Sequence, residues 1–145
     1  MPNAWDVVLN KGSSVYSIDP DSTVFDAVHR MNECKVGALL VLEGDKLVGI
    51  FTERDVLRRV LGEERKCRET SVRQVMTSDV ICVGPSTDLD EVGAIMQQKR
   101  VRHVPVCDSG GAVLGVISIG DINAHHSTHQ EAHINYLSEY IYGRA

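Results

Sequence analysis

The sequence predicts a mixed α/β (α+β) fold in which two similar β-α-β-β-α units share one core. The first observation is an internal repeat, because residues 15–20 return as 80–85 and residues 49–55 return as 115–121. The second is size, since each half of the 145 residues would bury little apolar surface on its own. The third is composition: 43% hydrophobic and 24% charged residues are typical of a globular protein.

Each copy opens with a short strand that leads into a helix. The strands, at residues 15–18 and 80–83, are apolar runs that end two residues before a proline. In the first copy Ser22 and Thr23 can cap the helix, and apolar side chains recur at i, i+3, i+4 and i+7 from Val24 onwards. This spacing predicts a helix with one buried face.

The second copy repeats this helix. Leu89, Val92 and Met96 form the apolar stripe, and Thr87 with Asp90 resembles a capping box. Two apolar runs separated by a turn then predict a β-hairpin in each copy, and a further helix follows each hairpin. These elements are residues 37–42, 47–51 and 55–60 in the first copy, and 103–107, 113–117 and 121–126 in the second.

Two lead-in segments precede the copies. Residues 5–9 and 72–76 have the same apolar spacing, and we predict short helices that pack on the unit that follows each of them. Residues 62–71 are charged and nearly free of large apolar side chains, as expected of a linker. The predicted domains are residues 1–66 with the first lead-in, residues 67–130, and a helical tail at residues 131–145.

Charge and composition exclude several classes of function. The formal net charge of -5 provides no basic footprint for nucleic acid or for an anionic membrane. There is no apolar stretch of the roughly 20 residues that a membrane span needs, and no secretory signal, so we expect a cytoplasmic protein. The four cysteines lack the spacing of a zinc finger, and we expect reduced thiols.

Both hairpins end in a hydroxyl residue followed three positions later by an aspartate. Thr52 with Asp55, and Ser118 with Asp121, stand where a strand turns into a helix. An aspartate there could accept hydrogen bonds from ribose hydroxyls, and the hydroxyl residue could donate to a phosphate. Helix capping alone would also explain these residue types. On spacing alone capping is the stronger interpretation, and nearby basic residues favour a phosphate site.

These basic residues are Arg54, inside the first motif, and Arg102 with His103, which open the matching strand of the second copy. A guanidinium fork suits phosphate oxygens. The two copies differ here, since Arg54 is matched by Gly120 and Arg102 by Gly37. One site could therefore take a more highly charged ligand, or one dinucleotide could use both sets of groups.

The chain resembles tandem cystathionine β-synthase (CBS) domains, a pair called a Bateman module. The resemblance rests on G-I-F-T-E-R-D at residues 49–55, R-H-V-P-V at 102–106 and G-V-I-S-I-G-D at 115–121, and it covers residues 5–126. It implies two pseudo-symmetric units packed sheet to sheet, with clefts that take adenosine-containing ligands. By resemblance to stand-alone CBS pairs we expect AMP or NAD, with ATP or S-adenosylmethionine as alternatives.

The resemblance also implies the site residues and the partners. Thr52 and Asp55 would serve one cleft and Ser118 and Asp121 the other, while backbone beside the strands would read adenine. We expect a homodimer and a regulated protein that reads the ligand. The candidate ligand-binding residues are Tyr16, Ala38, Thr52, Arg54, Asp55, Ile81, Arg102, His103, Val104, Ser118 and Asp121.

The tail leaves two alternatives open. His125, His129 and His133 would share a helix face and could bind zinc or nickel, although we expect no metal. An apolar stripe at residues 134, 137 and 141 needs a partner, which could be a second chain.

No signature of a nucleophile with its base, or of a P-loop, is present, so we expect no enzyme. A structural dimerisation module without a ligand remains the alternative to a sensor.

Overall fold

The computed structural model describes residues 2–11 and 15–129. This part of the chain is a mixed α+β structure with two small sheets and six α-helices, as the sequence predicts. A lead-in helix, α1 (Ala4–Lys11), comes first. The first unit contains β1 (Ser17–Ile18), α2 (Val24–Cys34), β2 (Ala38–Glu43), β3 (Lys46–Thr52) and α3 (Glu53–Asp55), which continues as a π-helix (Val56–Leu61). The second contains α4 (Val72–Val75), α5 (Leu89–Lys99), β4 (His103–Cys107), β5 (Val113–Ser118) and α6 (Ile119–His129).

The two sheets differ by one strand. In the first, β1 pairs in parallel with β2, which pairs antiparallel with β3; in the second, only β4 and β5 form a ladder. The predicted strand at residues 80–83 is wrong, because only Val83 bridges to Val106. Proline explains the loss. In the first copy the Leu40 N–H donates to the Tyr16 carbonyl at 3.0 Å, and Pro105 at the equivalent position has no N–H to donate.

The helix ends follow the repeat with one correction. Thr23 caps α2 as predicted, since its hydroxyl accepts the Asp26 N–H at 3.1 Å. The predicted capping box of Thr87 with Asp90 is wrong: α5 begins at Leu89, so the residue directly before it, Asp88, caps the helix and accepts the Asp90 N–H at 3.1 Å. The predicted α-helix at residues 55–60 is mostly π-helical.

Each lead-in helix packs on the other unit and not on the unit that follows it in the chain. Ala4, Val7 and Val8 of α1 lie in the hydrophobic cluster of the second unit, and Val72 and Val75 of α4 lie in that of the first. The prediction that each lead-in packs on the unit that follows it is therefore wrong. Both lead-ins have the apolar stripe that the sequence shows, and this stripe can cover either unit equally well.

Backbone hydrogen bonds hold each lead-in helix against the other unit. The N–H groups of Ala4 and Trp5 donate to carbonyls of Thr87 and Pro85 at 2.8 and 2.9 Å, just before α5. In the same way the Val72 N–H donates to the Ser22 carbonyl at 2.8 Å, just before α2. Each lead-in thus begins beside the first long helix of the other unit, and the two units are tied together through their cores.

Both faces of the first sheet are covered. Leu39, Val41 and Phe51 point into the cluster of the first unit. Leu40 and Ile50 point the other way by strand alternation, and their side chains are only 1% and 8% exposed. This burial agrees with two units packed sheet to sheet.

Candidate functional site

The first motif lies where β3 enters α3. The backbone N–H of Thr52 donates to Oδ2 of Asp55 at 2.9 Å, and the Thr52 hydroxyl lies 3.3 Å from the same oxygen. Asp55 is only 7% exposed, and burial raises its pKa although the hydrogen bonds from Thr52 and the charge of Arg59 oppose the shift. Nε of Arg59 lies 3.7 Å from Oδ1 of Asp55. The aspartate is therefore held in one orientation with a cation beside it.

The second motif repeats this geometry where β5 enters α6. The Ser118 N–H donates to Oδ2 of Asp121 at 2.8 Å, and the Asp121 N–H donates to the Ser118 hydroxyl at 3.1 Å. The Lys11 ammonium donates to Oδ2 of Asp121 at 2.8 Å and to the Val116 carbonyl at 2.8 Å. Burial would raise the pKa of Asp121, but hydrogen bonds from Lys11 and Ser118 outweigh it and hold this pKa below its usual value. Both aspartates cap their helices, as the capping interpretation predicts.

The hairpin registers bring the matching candidates together in each unit. Ala38 pairs with Thr52 in the first hairpin, and His103 pairs with Ser118 in the second. The Ile119 N–H also donates to the Arg102 carbonyl at 2.9 Å, which closes the end of the second hairpin. The residues that the repeat aligns in sequence are therefore neighbours in the structure.

The pKa of His103 responds to charges of both units. Burial lowers its pKa, and the charges of Lys11 and Arg102 lower it further, while those of Asp121 and Glu53 act in the opposite direction. Glu53 directly follows Thr52 in the first unit, and Asp121 belongs to the second. Charges of both units therefore act on one imidazole at the end of the second hairpin.

Of the three candidate phosphate ligands, Arg54 and Arg102 are exposed and His103 is half-buried. Within the described residues, the guanidinium groups of Arg54 and Arg102 make no ion pair. A ligand anion would thus meet two arginines that need not leave another partner.

The candidates for reading adenine are more deeply placed. Val104 is fully buried in the second cluster, so neither its side chain nor its backbone reaches the surface. Tyr16 packs against the first cluster, and its carbonyl accepts the N–H of Leu40. Ala38 and Ile81 are half-buried. The role of these four residues in reading adenine stays a prediction.

Sequence reasoning missed Lys11 and Arg59, the two cations beside the aspartates. Arg59 stands one helical turn after Asp55, so its i+4 spacing was a usable signal. The Arg59 guanidinium also donates to the Met76 carbonyl at 2.9 Å, which fixes its position. Lys11 gave no comparable signal, because its contact depends on α1 crossing to the second unit.

An open groove of about 870 Å³ lies at the opposite end of the hairpins. It is lined by the two hairpin turns, with Asp45 and Asp108 among the lining residues, and by the thiols of Cys82 and Cys107. None of the candidate ligand residues lines it. All four cysteines are free thiols, as expected. Burial, together with a hydrogen bond and charge from Cys82, raises the pKa of Cys107 to about 12.

The histidine-rich segment is described only in part. Nε2 of His126 lies 3.5 Å from Oδ1 of Asp90. The side chain of His129, and His133 with the rest of the predicted tail and its apolar stripe, lie outside the described residues. Within residues 2–11 and 15–129 no three His, Cys, Asp or Glu side chains are grouped to hold a metal ion. No helix in this part of the chain is long and apolar enough to cross a bilayer.

Known proteins share both the sequence pattern and the fold. The chain is 37% identical to the mitochondrial CBS domain-containing protein CBSX3 of Arabidopsis thaliana, over 95% of this chain and 71% of that protein. It is 38% identical to a solved protein with CBS domains from Burkholderia ambifaria MC40-6, with a TM-score of 0.85 over 90% of this chain and 97% of that one.

A more distant structure has the same fold. This CBS domain pair was solved in complex with 5′-methylthioadenosine and S-adenosyl-L-methionine; it is 21% identical, with a TM-score of 0.80 over 90% of this chain and 99% of that one. The family model described as CBS domain matches the chain twice, at residues 8–62 and 72–125. These two matches coincide with the two copies of the repeat. The chain therefore belongs to the CBS-domain family and contains a pair of CBS domains.

Proposed function

We propose that this chain is a regulatory module that binds an adenosine-containing nucleotide, AMP or NAD, between its two CBS domains and passes the signal to a partner protein. The observation that carries the proposal is the hydroxyl and aspartate motif that both units repeat, with each aspartate held at the turn from a strand into a helix. The imidazole of His103 is influenced by charges of both units, Glu53 from the first and Asp121 from the second. A ligand held by both motifs would contact both domains at once.

The candidate residues match the parts of a nucleoside monophosphate. Asp55 and Asp121 are ionisable acceptors for ribose hydroxyls, and each is held in orientation by the backbone N–H of the hydroxyl residue three positions earlier. Arg54 and Arg102 are exposed and suited to phosphate oxygens. Two arginines suit the phosphates of AMP or NAD, and ATP, the alternative, would call for further cations.

Relatives support the ligand class. A solved CBS pair with the same fold holds two adenosine compounds, 5′-methylthioadenosine and S-adenosyl-L-methionine. Adenosine is the part that these compounds share with AMP and NAD. The ligand class of this chain is therefore proposed as adenosine-containing, and the arginines favour a phosphorylated member of that class.

The two lead-in helices offer a route for the signal. α1 belongs to the core of the second unit and α4 to that of the first, so a change in the packing of the two units must move both helices. A ligand shifts such an equilibrium only by its difference in affinity for the two arrangements. The partner would read the new arrangement, and no chemical reaction is proposed for this chain.

We also propose a cytoplasmic homodimer. Leu57 and Leu61 on the π-helix are each 63% exposed and stand four residues apart, which leaves an apolar ridge for a second copy. Light scattering at high protein concentration tests this part. A mass of one chain under all conditions would contradict the dimer without affecting nucleotide binding.

A second candidate is a structural module that binds no nucleotide. It is favoured by one observation: the capping hydrogen bonds already give both aspartates a structural role. The two candidates differ in their response to ligands, because only the sensor is stabilised by adenosine compounds.

A thermal unfolding experiment with a ligand panel separates the candidates. We expect the midpoint to rise with AMP or NAD, and to rise less with GMP, which differs from AMP only in its base. ATP and S-adenosylmethionine complete the panel, and inorganic phosphate controls for general anion binding. No shift with any adenosine compound, or equal shifts with AMP and inorganic phosphate, would contradict the proposal.

A further inference from the structure

Lys11 of α1 makes an ion pair with Asp121, 110 positions along the chain, and its ammonium lies 2.8 Å from Oδ2. We propose that Lys11 is an internal competitor for the second site, so that a nucleoside ligand bound to Asp121 displaces Lys11 and releases the C-terminal end of α1. This inference rests on the proposed function, and it assigns a different behaviour to each of the two aspartates.

The acceptor capacity of Asp121 carries the argument. A carboxylate oxygen has two lone pairs, and Oδ2 already accepts the Ser118 N–H at 2.8 Å and the Lys11 ammonium at 2.8 Å. An aspartate that binds both vicinal hydroxyls of a ribose needs both oxygens. The Ser118 N–H is fixed by the backbone, so Lys11 is the donor that has to leave.

Among the described residues, no distant element supplies such a competitor for Asp55. Its Oδ2 accepts the Thr52 N–H at 2.9 Å, and the second donor is the Thr52 hydroxyl at 3.3 Å, which can rotate away. Arg59 stands 3.7 Å from Oδ1, beyond hydrogen-bond distance. A ribose at the first site would therefore break no ion pair with a distant element, whereas one at the second site must displace Lys11.

The ion pair is weak enough for a ligand to open. The side chain of Lys11 is 38% exposed and that of Asp121 is 21% exposed. Ion pairs that water reaches in this way contribute little, because solvent screens the charges and the long lysine side chain loses freedom. Lys11 can thus act as a competitor without sealing the site.

Displacement of Lys11 would be felt by α1. Lys11 is the last residue of the helix, three positions after Val8, which packs on β5 at Gly115. The Lys11 ammonium holds two groups of the second unit together, the Asp121 carboxylate and the Val116 carbonyl. A ligand that takes Asp121 removes the tie between the end of α1 and the site.

The test uses Lys11→Met, which keeps most of the aliphatic stem and removes the ammonium. The substitution is made in an Asp55→Ala background, so that only the second site can bind. The matched control is Lys66→Met in the same background, which removes the lysine of another exposed ion pair. Calorimetry with adenosine and with AMP measures affinity. We expect Lys11→Met to bind both about two- to five-fold more tightly, the value of a screened ion pair, and Lys66→Met to bind as the background does.

The outcomes are distinct. Unchanged affinity in Lys11→Met, or weaker binding of adenosine, would overturn the proposal that Lys11 competes with the ligand. Loss of AMP affinity with unchanged adenosine affinity would also overturn it, because Lys11 would then be a phosphate ligand. If the unmodified protein binds no adenosine compound, the proposed function itself fails. NMR titration of the Asp121 carboxyl gives a ligand-free check: its pKa should rise in Lys11→Met, and no change would contradict the ion pair.

Discussion

Val8 of α1 lies directly on the backbone of Gly115 in β5. A Cβ added at Gly115 would stand 2.9 Å from both methyl groups of Val8, closer than atoms of this kind approach. The absence of a side chain at residue 115 is therefore what lets the first lead-in helix seat on the second unit.

Gly115→Ala tests this seating. The new methyl group must push Val8 and α1 outward, and we expect a loss of about 1–3 kcal/mol in the free energy of unfolding, as for other overpacked sites. Urea denaturation measures it. Gly93→Ala is the control, since none of the described residues outside the helix backbone lies within 4 Å of the Cβ that alanine would add, and alanine favours a helix. Equal stability of Gly115→Ala and the unmodified protein would contradict the seating.

The repeat made most of the fold predictable. Residues 37–51 and 103–117 form hairpins because turn residues separate two apolar runs, and the aligned motifs fall at the ends of these hairpins. Pro105 shows where alignment of the two copies fails to predict a strand. Alignment with residues 15–18 predicts a full strand at 80–83, and the missing N–H of this one proline leaves a single bridge.

The site was less predictable than the fold. The aspartates and arginines follow from local motifs, and the structure places them where the repeat predicts. The contact of Lys11 with Asp121 does not follow from a local motif. The apolar stripe of α1 shows that one side of this helix is buried, but it does not show which unit covers that side. Contacts between distant segments are set by the whole packing arrangement, which local periodicity does not encode.

The role of the aspartates is testable by substitution. Asp55→Ala and Asp121→Ala remove a charged acceptor from the proposed ribose site, so each should lose about 1.5–3 kcal/mol of affinity for AMP or NAD at its own site. Calorimetry measures the affinity, and thermal unfolding shows whether each variant stays folded. Unchanged affinity in both variants would reduce these residues to helix caps.

His103 predicts a dependence of stability on pH. Folding lowers its pKa below the usual 6.5, so the unfolded chain binds a proton that the folded protein excludes. Its contribution is constant above pH 6.5 and falls as the pH drops below that value. We expect the unmodified protein to lose more stability between pH 7 and pH 5.5 than His103→Gln, by about 1 kcal/mol or less.

Urea denaturation at a series of pH values measures this difference. Parallel profiles for the unmodified protein and His103→Gln would mean that folding does not disfavour the charged form of His103.

Cys107 should resist alkylation in the folded protein. Its pKa is raised from 9.0 to about 12, so its thiolate fraction near pH 8 falls about a thousandfold, and only the thiolate reacts. Cys67 is exposed and serves as the internal comparison. Mass spectrometry after timed iodoacetamide treatment should show Cys67 modified first, with both modified in urea. Equal rates in the folded protein would contradict the environment described for Cys107.

Calorimetric titration of the purified protein with AMP tests the proposed sensor most directly. The account predicts saturable binding with a dissociation constant below the physiological AMP concentration, and its loss in the Asp55→Ala/Asp121→Ala double variant. Absence of binding by AMP, and likewise by NAD, in a protein shown to be folded would contradict a nucleotide sensor and favour the structural module.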